Sequence, residues 1–304
     1  MIDNLRGSLW MVAAMAGFAV EDMFLKSVAA SLPVGQILMI FGAGGMMGFA
    51  LLAMRRGERI LHPAILSPAI LIRCLFEVAG RLFYTLAIAL TPLSSASAIL
   101  QATPLVVVMG AALVFGERVG WRRWAAIAVG FAGVLIILRP GLDGFTPLSL
   151  LAVLGMLGFA GRDLATRAAP PVLSNLQLGV FGFAMMVPTG ALLLAVSGGA
   201  VLPSALAAGQ LAAATGIGVL AYYALTSAMR IGEVSVVTPF RYTRLVFALI
   251  LGATVFGERP DAATLLGSAV IVTSGIYTLL RSRRVQAMAT KAGPGDAKWR
   301  QDRI

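Results

Sequence analysis

The sequence predicts an all-α polytopic membrane protein of about ten transmembrane helices, arranged as two inverted five-helix repeats, and three observations carry that prediction. Hydrophobic residues make up 59% of the 304 residues and charged residues only 12%, against roughly 25% charged in soluble domains; the mean hydropathy is +0.90. The chain also resembles itself. Gly17-Phe18-Ala19 with Asp22 and Lys26 recurs as Gly158-Phe159-Ala160 with Asp163 and Arg167, and Val114-Phe115-Gly116-Glu117-Arg118 recurs as Val255-Phe256-Gly257-Glu258-Arg259, both at an offset of 141 residues. An offset held constant over so long a stretch marks a duplicated unit. Finally, arginine is distributed unevenly between alternate connections, as the positive-inside rule requires of a multi-spanning protein.

A spanning helix needs about 20 mostly apolar residues, and polar, Gly and Pro breaks divide the chain into such segments. The first covers 7–29; Arg6 ahead of an apolar run resembles a signal peptide, but the same pattern returns in mid-chain, so the segment is expected to remain as a helix. The second, 33–54, carries Gly44 and Gly48 at a spacing suited to close helix packing. The third, 68–90, is separated by only Thr91-Pro92-Leu93 from the fourth, 94–115, so these two pack antiparallel. The fifth, 121–138, contains Gly130 and Gly133, and the sixth, 148–168, repeats the pattern of the first. The seventh and eighth cover 171–196 and 206–230, the ninth 233–256, and the tenth, with Gly267 and Gly275, 261–281. The first repeat is placed at 1–140, the second at 141–284, and a tail at 285–304 without apolar periodicity is expected to be disordered.

Five helices per repeat make the second repeat enter from the opposite side. With the N-terminus inside, Arg6, Arg55, Arg56, Arg59, Arg118, Arg122, Arg123, Arg230, Arg281, Arg283 and Arg284 fall in or beside cytoplasmic segments, leaving Arg139, Arg259 and Lys26 on the other face. Both termini are therefore expected in the cytoplasm, and the loop around Asp143 outside. This topology accounts for the net charge of +11, so no nucleic acid is expected as a partner. Cys74 and His62 stand alone, which excludes a disulfide framework and a nitrogen or sulfur metal cage. No metal, cofactor or nucleotide-binding loop is expected, and no nucleophile–base set points to catalysis.

A Phe-Gly-Glu-Arg closing the fourth helix of each half, with glycines in the helix that follows, resembles the drug/metabolite transporter superfamily in its ten-helix EamA-type branch, over residues 7 to 281. The chain is most similar within it to bacterial amino-acid exporters, including those for aromatic amino acids. The resemblance implies a secondary transporter of the bacterial inner membrane with membrane lipid and a small-molecule substrate as its partners.

Charged side chains in a bilayer cost roughly 2.5–3.5 kcal/mol each on insertion scales and call for a partner or a use. The segments hold Glu21, Asp22, Glu77 and Asp163 against Lys26, Arg73, Arg81, Arg162, Arg167, Arg241 and Arg244. Arg73, Glu77 and Arg81 follow at i, i+4 and i+8 on one face of the third helix, which Tyr84 continues, so Glu77 is expected to lie between two cations near the midplane, with Gly80 beside it for a close approach. Structural pairing within the helix explains the same spacing. Arg241 and Arg244 need partners from elsewhere; Asp163 suits Arg241, and Arg244 faces a central cavity. The excess of cations suits a carboxylate-bearing substrate, since a guanidinium offers donors that match its two oxygens. Asp22 and Asp163, in repeat-related positions, are candidate gates with Arg241, or inherited packing features. Pro104 and Pro239 bend the fourth and ninth helices. Gln101, one turn before Pro104, is a candidate substrate contact or interhelical glue, and Tyr222 a candidate aromatic wall.

These residues favour export of a small metabolite, amino acids first, by alternating access at a cavity between the repeats. A multidrug or cation exporter would rely on buried acid, which here has bases nearby. A membrane-embedded lipid enzyme lacks a catalytic set.

Overall fold

The computed structural model describes residues 2–116, 120–139, 146–168, 170, 172–231 and 238–291. Glu117, Arg118, Glu233, the loop around Asp143 and residues 292–304, on which parts of the sequence reading fall, lie outside them. The described residues are all-helical: α1 (Ile2–Ala29), α2 (Val34–Arg55), α3 (Pro68–Leu90), α4 (Leu93–Leu100), α5 (Thr103–Phe115), α6 (Trp121–Leu138), α7 (Ser149–Arg167), α8 (Asn175–Ala184), α9 (Met186–Ser197), α10 (Ala205–Ile231), α11 (Thr243–Phe256) and α12 (Ala262–Lys291). Short 3-10 turns occupy Pro63–Leu66 and Thr238–Tyr242. The pairs α4/α5 and α8/α9 each form one broken span, so the twelve helices make ten crossings. Six spans are long and apolar enough to cross a bilayer by composition. The third is not among them because Arg73, Glu77 and Arg81 lower its hydropathy. The last helix runs to Lys291, beyond the boundary at 285 expected from the sequence.

The helices pair across the repeats rather than within them. α1 packs most extensively on α10, and α7 on α3; α2 packs on α8 and α9, and α6 on α12. The first and third helices of one half thus exchange with the third and first of the other, which is what an internal two-fold axis relating inverted repeats produces. The crossings depend on small residues. A Cβ on Gly80 would stand 2.9 Å from the backbone nitrogen of Phe159, and one on Gly158 would strike the Gly80 backbone. The equivalent crossing puts Gly17 against Ala221, whose Cβ would be 2.8 Å away. Without an apolar contrast between helix and lipid, association relies on such close packing. Gly80 therefore serves a helix crossing, not the approach of a ligand.

The two Phe-Gly-Glu motifs end the fourth and ninth spans alike. Gly116 and Gly257 adopt φ of +65° and +63°, a left-handed conformation that only glycine takes without a Cβ penalty. At Gly257 the reversal sends Glu258 back along α11, where its N–H donates to the carbonyl of Gly252 at 2.9 Å.

Candidate functional site

The fourth span breaks between α4 and α5, a 3-10 turn precedes α11, and the two irregular segments face each other. Pro104 lacks the N–H that Leu100 would receive in a continuous helix, and the Thr103 hydroxyl takes that role by donating to the Leu100 carbonyl at 2.5 Å. Gln101 and Ala102 close the end of α4 with bonds to Ala98 and Ile99 at 3.2 and 3.0 Å. The Leu100 carbonyl that Pro104 leaves without a backbone donor is therefore satisfied by Thr103. In the other half, Thr238–Tyr242 forms the 3-10 turn that contains the backbone of Pro239. Gln101 Nε2 lies 3.5 Å from the carbonyls of Arg241 and Tyr242, so Gln101 meets its own repeat-equivalent, Tyr242, at the centre of the bundle.

A cavity of about 60 Å³ opens beside this contact. Arg81, Arg162, Arg241 and Arg244 supply its charge, Gln101, Thr103 and Tyr222 its neutral polar groups, and Met15, Phe18, Leu100, Pro104, Phe159 and Leu225 its apolar wall. Among the described residues no carboxylate lines it. Phe18 and Phe159 occupy equivalent positions of the two repeats and each carries a guanidinium over its ring, Arg244 at 5.2 Å and Arg162 at 5.0 Å from the centroids. Sites for metabolites typically measure 300–1,000 Å³, so the cavity is contracted and holds only a few waters.

Behind the arginines lies a buried network of acids. Arg81 pairs with Glu21, Arg244 with Asp22 at 2.6 Å, and Arg162 with Glu77 at 3.3 Å and Asp163 at 2.8 Å. Arg73 stands 3.4 Å from Glu77 and donates to Thr166 Oγ1 at 2.9 Å. Arg241 is 3.6 Å from Asp163, close enough for an ion pair but too long for a hydrogen bond. Five arginines thus share four carboxylates, a surplus of one positive charge. Arg81 Nε and Arg244 Nε are buried and have no hydrogen-bond partner, and the same holds for Glu21 Oε2 and Asp22 Oδ1.

Several expectations change on this geometry. Glu77 lies between Arg73 and Arg162 rather than Arg73 and Arg81, because Glu21 from α1 captures Arg81. Neither Glu77 nor Tyr84 lines the cavity: Tyr84 is 1% exposed, and its hydroxyl lies 3.2 Å from Asp22 Oδ2 and 3.1 Å from Ser97 Oγ. Asp22 and Lys26 do not pair with one another. Asp22 and Asp163, read as gates on opposite sides, each hold arginines that line the one cavity. The expected pairing of Asp163 with Arg241 is present. Arg162, Phe18 and Phe159 were not singled out as cavity residues; their signal was the repeated Gly-Phe-Ala and the neighbouring charge at equivalent positions.

The contact closing one end of the bundle was also not foreseen. Glu258 accepts from the N–H groups of Leu93 and Ser94 at 2.6 and 3.0 Å and from the Ser94 hydroxyl at 2.7 Å, capping the N-terminus of α4. Lys26 stands 3.7 Å from Glu258 and donates to the carbonyls of Ile88 and Thr91 at 3.0 and 2.6 Å. The ends of α1, α3 and α11 and the start of α4 are joined through these two side chains.

Among the described residues no cluster of His, Cys, Asp or Glu could hold a metal ion. Comparisons with known proteins identify a transporter family. The model of the EamA-like transporter family matches residues 5–139 and again 147–280. A riboflavin transporter of Rhizobium johnstonii is 30% identical over 91% of this chain and 92% of its own length. An S-adenosylmethionine uptake transporter of Rickettsia prowazekii is 22% identical over 92% of this chain and 94% of its own, and a pseudopaline exporter of Pseudomonas aeruginosa is 29% identical over 91% and 97%. A solved crystal structure superimposes with a TM-score of 0.60 at 18% identity, covering 92% of this chain and 98% of that one, which speaks for the fold. With both halves matched and the relatives named as transporters, this chain is a membrane transporter and belongs to the EamA-like transporter family.

Proposed function

We propose that the chain is a secondary carrier of a bacterial plasma membrane, with both termini cytoplasmic, that moves a small carboxylate-bearing metabolite through the cavity at the Gln101–Tyr242 contact. Amino acids are the first substrates to test, in the export direction that the sequence resemblance implies. Family membership supports transport but not its direction, since the relatives are named for uptake and for export.

The observation that carries this reading is a cavity wall with Arg81, Arg162, Arg241 and Arg244 and no carboxylate among its described lining residues, in which Arg81 Nε and Arg244 Nε are buried without a partner. An entering carboxylate finds donors that are already desolvated, and its charge cancels the surplus of one. The unpartnered oxygens of Glu21 and Asp22 lie directly behind and match the ammonium of a zwitterion once the cavity expands. Expansion is required because about 60 Å³ does not admit an amino acid. A cation exporter finds no acid on this wall.

The test is exchange of radiolabelled amino acids and organic cations in proteoliposomes, with Arg81→Gln and Arg244→Gln compared on an amino acid and its carboxyl-amidated analogue. The expected result is loss of acid transport with the amide little affected. Equal losses of both assign the arginines to structure, and preferential exchange of organic cations refutes the substrate class.

A further inference from the structure

We infer that the seam between α2 and α10 is a binding site for one anionic phospholipid, its acyl chain lying in a glycine-floored groove and its phosphate at Arg55 and Arg56. Two cavities follow one another along this seam. The first, of about 400 Å³, is apolar and runs past Gly44, Gly48 and Gly216 between Leu51 and Leu220 to Arg55. The second, of about 210 Å³, mixes polar and apolar lining, with Arg56, Glu58, Ser174, Tyr223 and Ser227 beside Leu176 and Ile231. They adjoin on both partners: Arg55 ends α2 and Arg56 is its C-cap, and Leu220, Tyr223 and Ser227 share one face of α10. An apolar trough that ends at Arg55, with Arg56 in the adjoining pocket, has the polarity of a phospholipid, tail first and headgroup last.

Each part has a local cause. Gly44 and Gly48 bring the helices together, since a Cβ at these positions would stand 2.8 Å from Thr215 and 3.1 Å from Val219. Gly216 is different: a Cβ there meets nothing within 4 Å, so the groove floor is open space rather than packing. At the polar end Arg56 Nη2 donates to the Tyr223 hydroxyl at 2.9 Å and the guanidinium stands 5.5 Å from that ring's centroid, which fixes it at the mouth of the pocket. Glu58 is the carboxylate of this pocket, and the Ser174 hydroxyl donates to it; it balances Arg56 there, and Arg55 at the end of the groove supplies the further positive charge. Arg55 is exposed and has no ion-pair partner among the described residues. Charge near a membrane surface favours anionic headgroups over zwitterionic ones. A second apolar groove, of about 580 Å³ between α6 and α12, has Trp121 and Arg122 at its end but no adjoining polar pocket among the described residues, and it serves as the internal control.

The experiment is native mass spectrometry of the full chain released from nanodiscs of equal phosphatidylglycerol and phosphatidylcholine. The wild type is expected to retain one phosphatidylglycerol. Gly216→Leu fills the groove without touching packing or charge and is expected to remove most of the retention; Arg55→Gln with Arg56→Gln removes the headgroup partners and is expected to lower retention by about 30-fold, given the contribution of two basic residues at a membrane surface. Arg122→Gln is expected to change nothing. Equal retention of phosphatidylcholine, undiminished retention in Gly216→Leu, or an equal loss in Arg122→Gln overturns the assignment. A dimer that Gly216→Leu dissociates overturns it too, by giving the groove to a second copy of the chain.

Discussion

Replacing Glu258 with Gln tests whether the contact between α11 and α4 holds one end of the bundle closed. The carboxylate accepts three hydrogen bonds from Leu93 and Ser94 and stands 3.7 Å from Lys26, with side-chain exposures of 10% and 15% for Glu258 and Lys26. A glutamine keeps one acceptor oxygen, turns its amide toward a backbone donor and loses the charge that Lys26 faces. Hydrogen bonds to a charged group contribute about 1.5–3 kcal/mol, so losing one of them shifts the equilibrium between closed and open ends by about 10- to 150-fold at 1.4 kcal/mol per decade. The assay uses Cys74→Ala, which removes the chain's one cysteine, with Leu225→Cys on the cavity wall. The rate of reaction with a membrane-impermeant thiol reagent added from the Glu258 side is then measured. Glu258→Gln should raise that rate by the stated factor, and Lys26→Met should raise it less. An unchanged rate from that side, or an equal rise from both sides, refutes a closing role and leaves Glu258 as a helix cap alone.

Three other outcomes follow from the same structure. Tags at both termini should be protected from external protease while a reporter inserted near residue 143 is accessible; termini on opposite sides would defeat the five-plus-five topology. Gly158→Ala should destabilise the protein by at least about 2 kcal/mol in detergent thermal unfolding, because the opposing group is the Gly80 backbone rather than a side chain that can move, whereas Gly216→Ala should be nearly neutral; comparable effects would remove the close-crossing argument. Asp261 lies outside the spans, where its pairing with Arg139 and then its bonds to Thr264 lower its pKa from 3.8 to about 2. A depressed carboxylate pKa stabilises the fold above the unfolded value and loses that contribution as pH falls through the folded one. The thermal stability difference between wild type and Asp261→Asn should therefore be constant above about pH 4 and shrink toward pH 2; a difference that grows on acidification would reverse the assignment.

The sequence by itself determined the helical class, the duplication and the transport family, because each depends on a property of local composition or spacing. Hydropathy marks spans, a constant offset marks a repeat, and a glycine before glutamate marks a helix end whether or not its surroundings are known. It also anticipated the pairing of Asp163 with Arg241. Only the tertiary structure decided which charges meet. Spacing along α3 suggested that Arg73 and Arg81 both flank Glu77, yet Glu21 from α1 takes Arg81 and Arg162 from α7 takes its place. Tyr84 shares the face of Arg81 and still lies behind the cavity, held by Asp22 and Ser97. The physical reason is that helical periodicity fixes directions around one axis, whereas a buried ion chooses the nearest opposite charge in three dimensions. In this protein Arg162 reaches Glu77 from the other repeat, beside the Gly80–Gly158 crossing, whereas Glu21 reaches Arg81 from another helix of the same repeat.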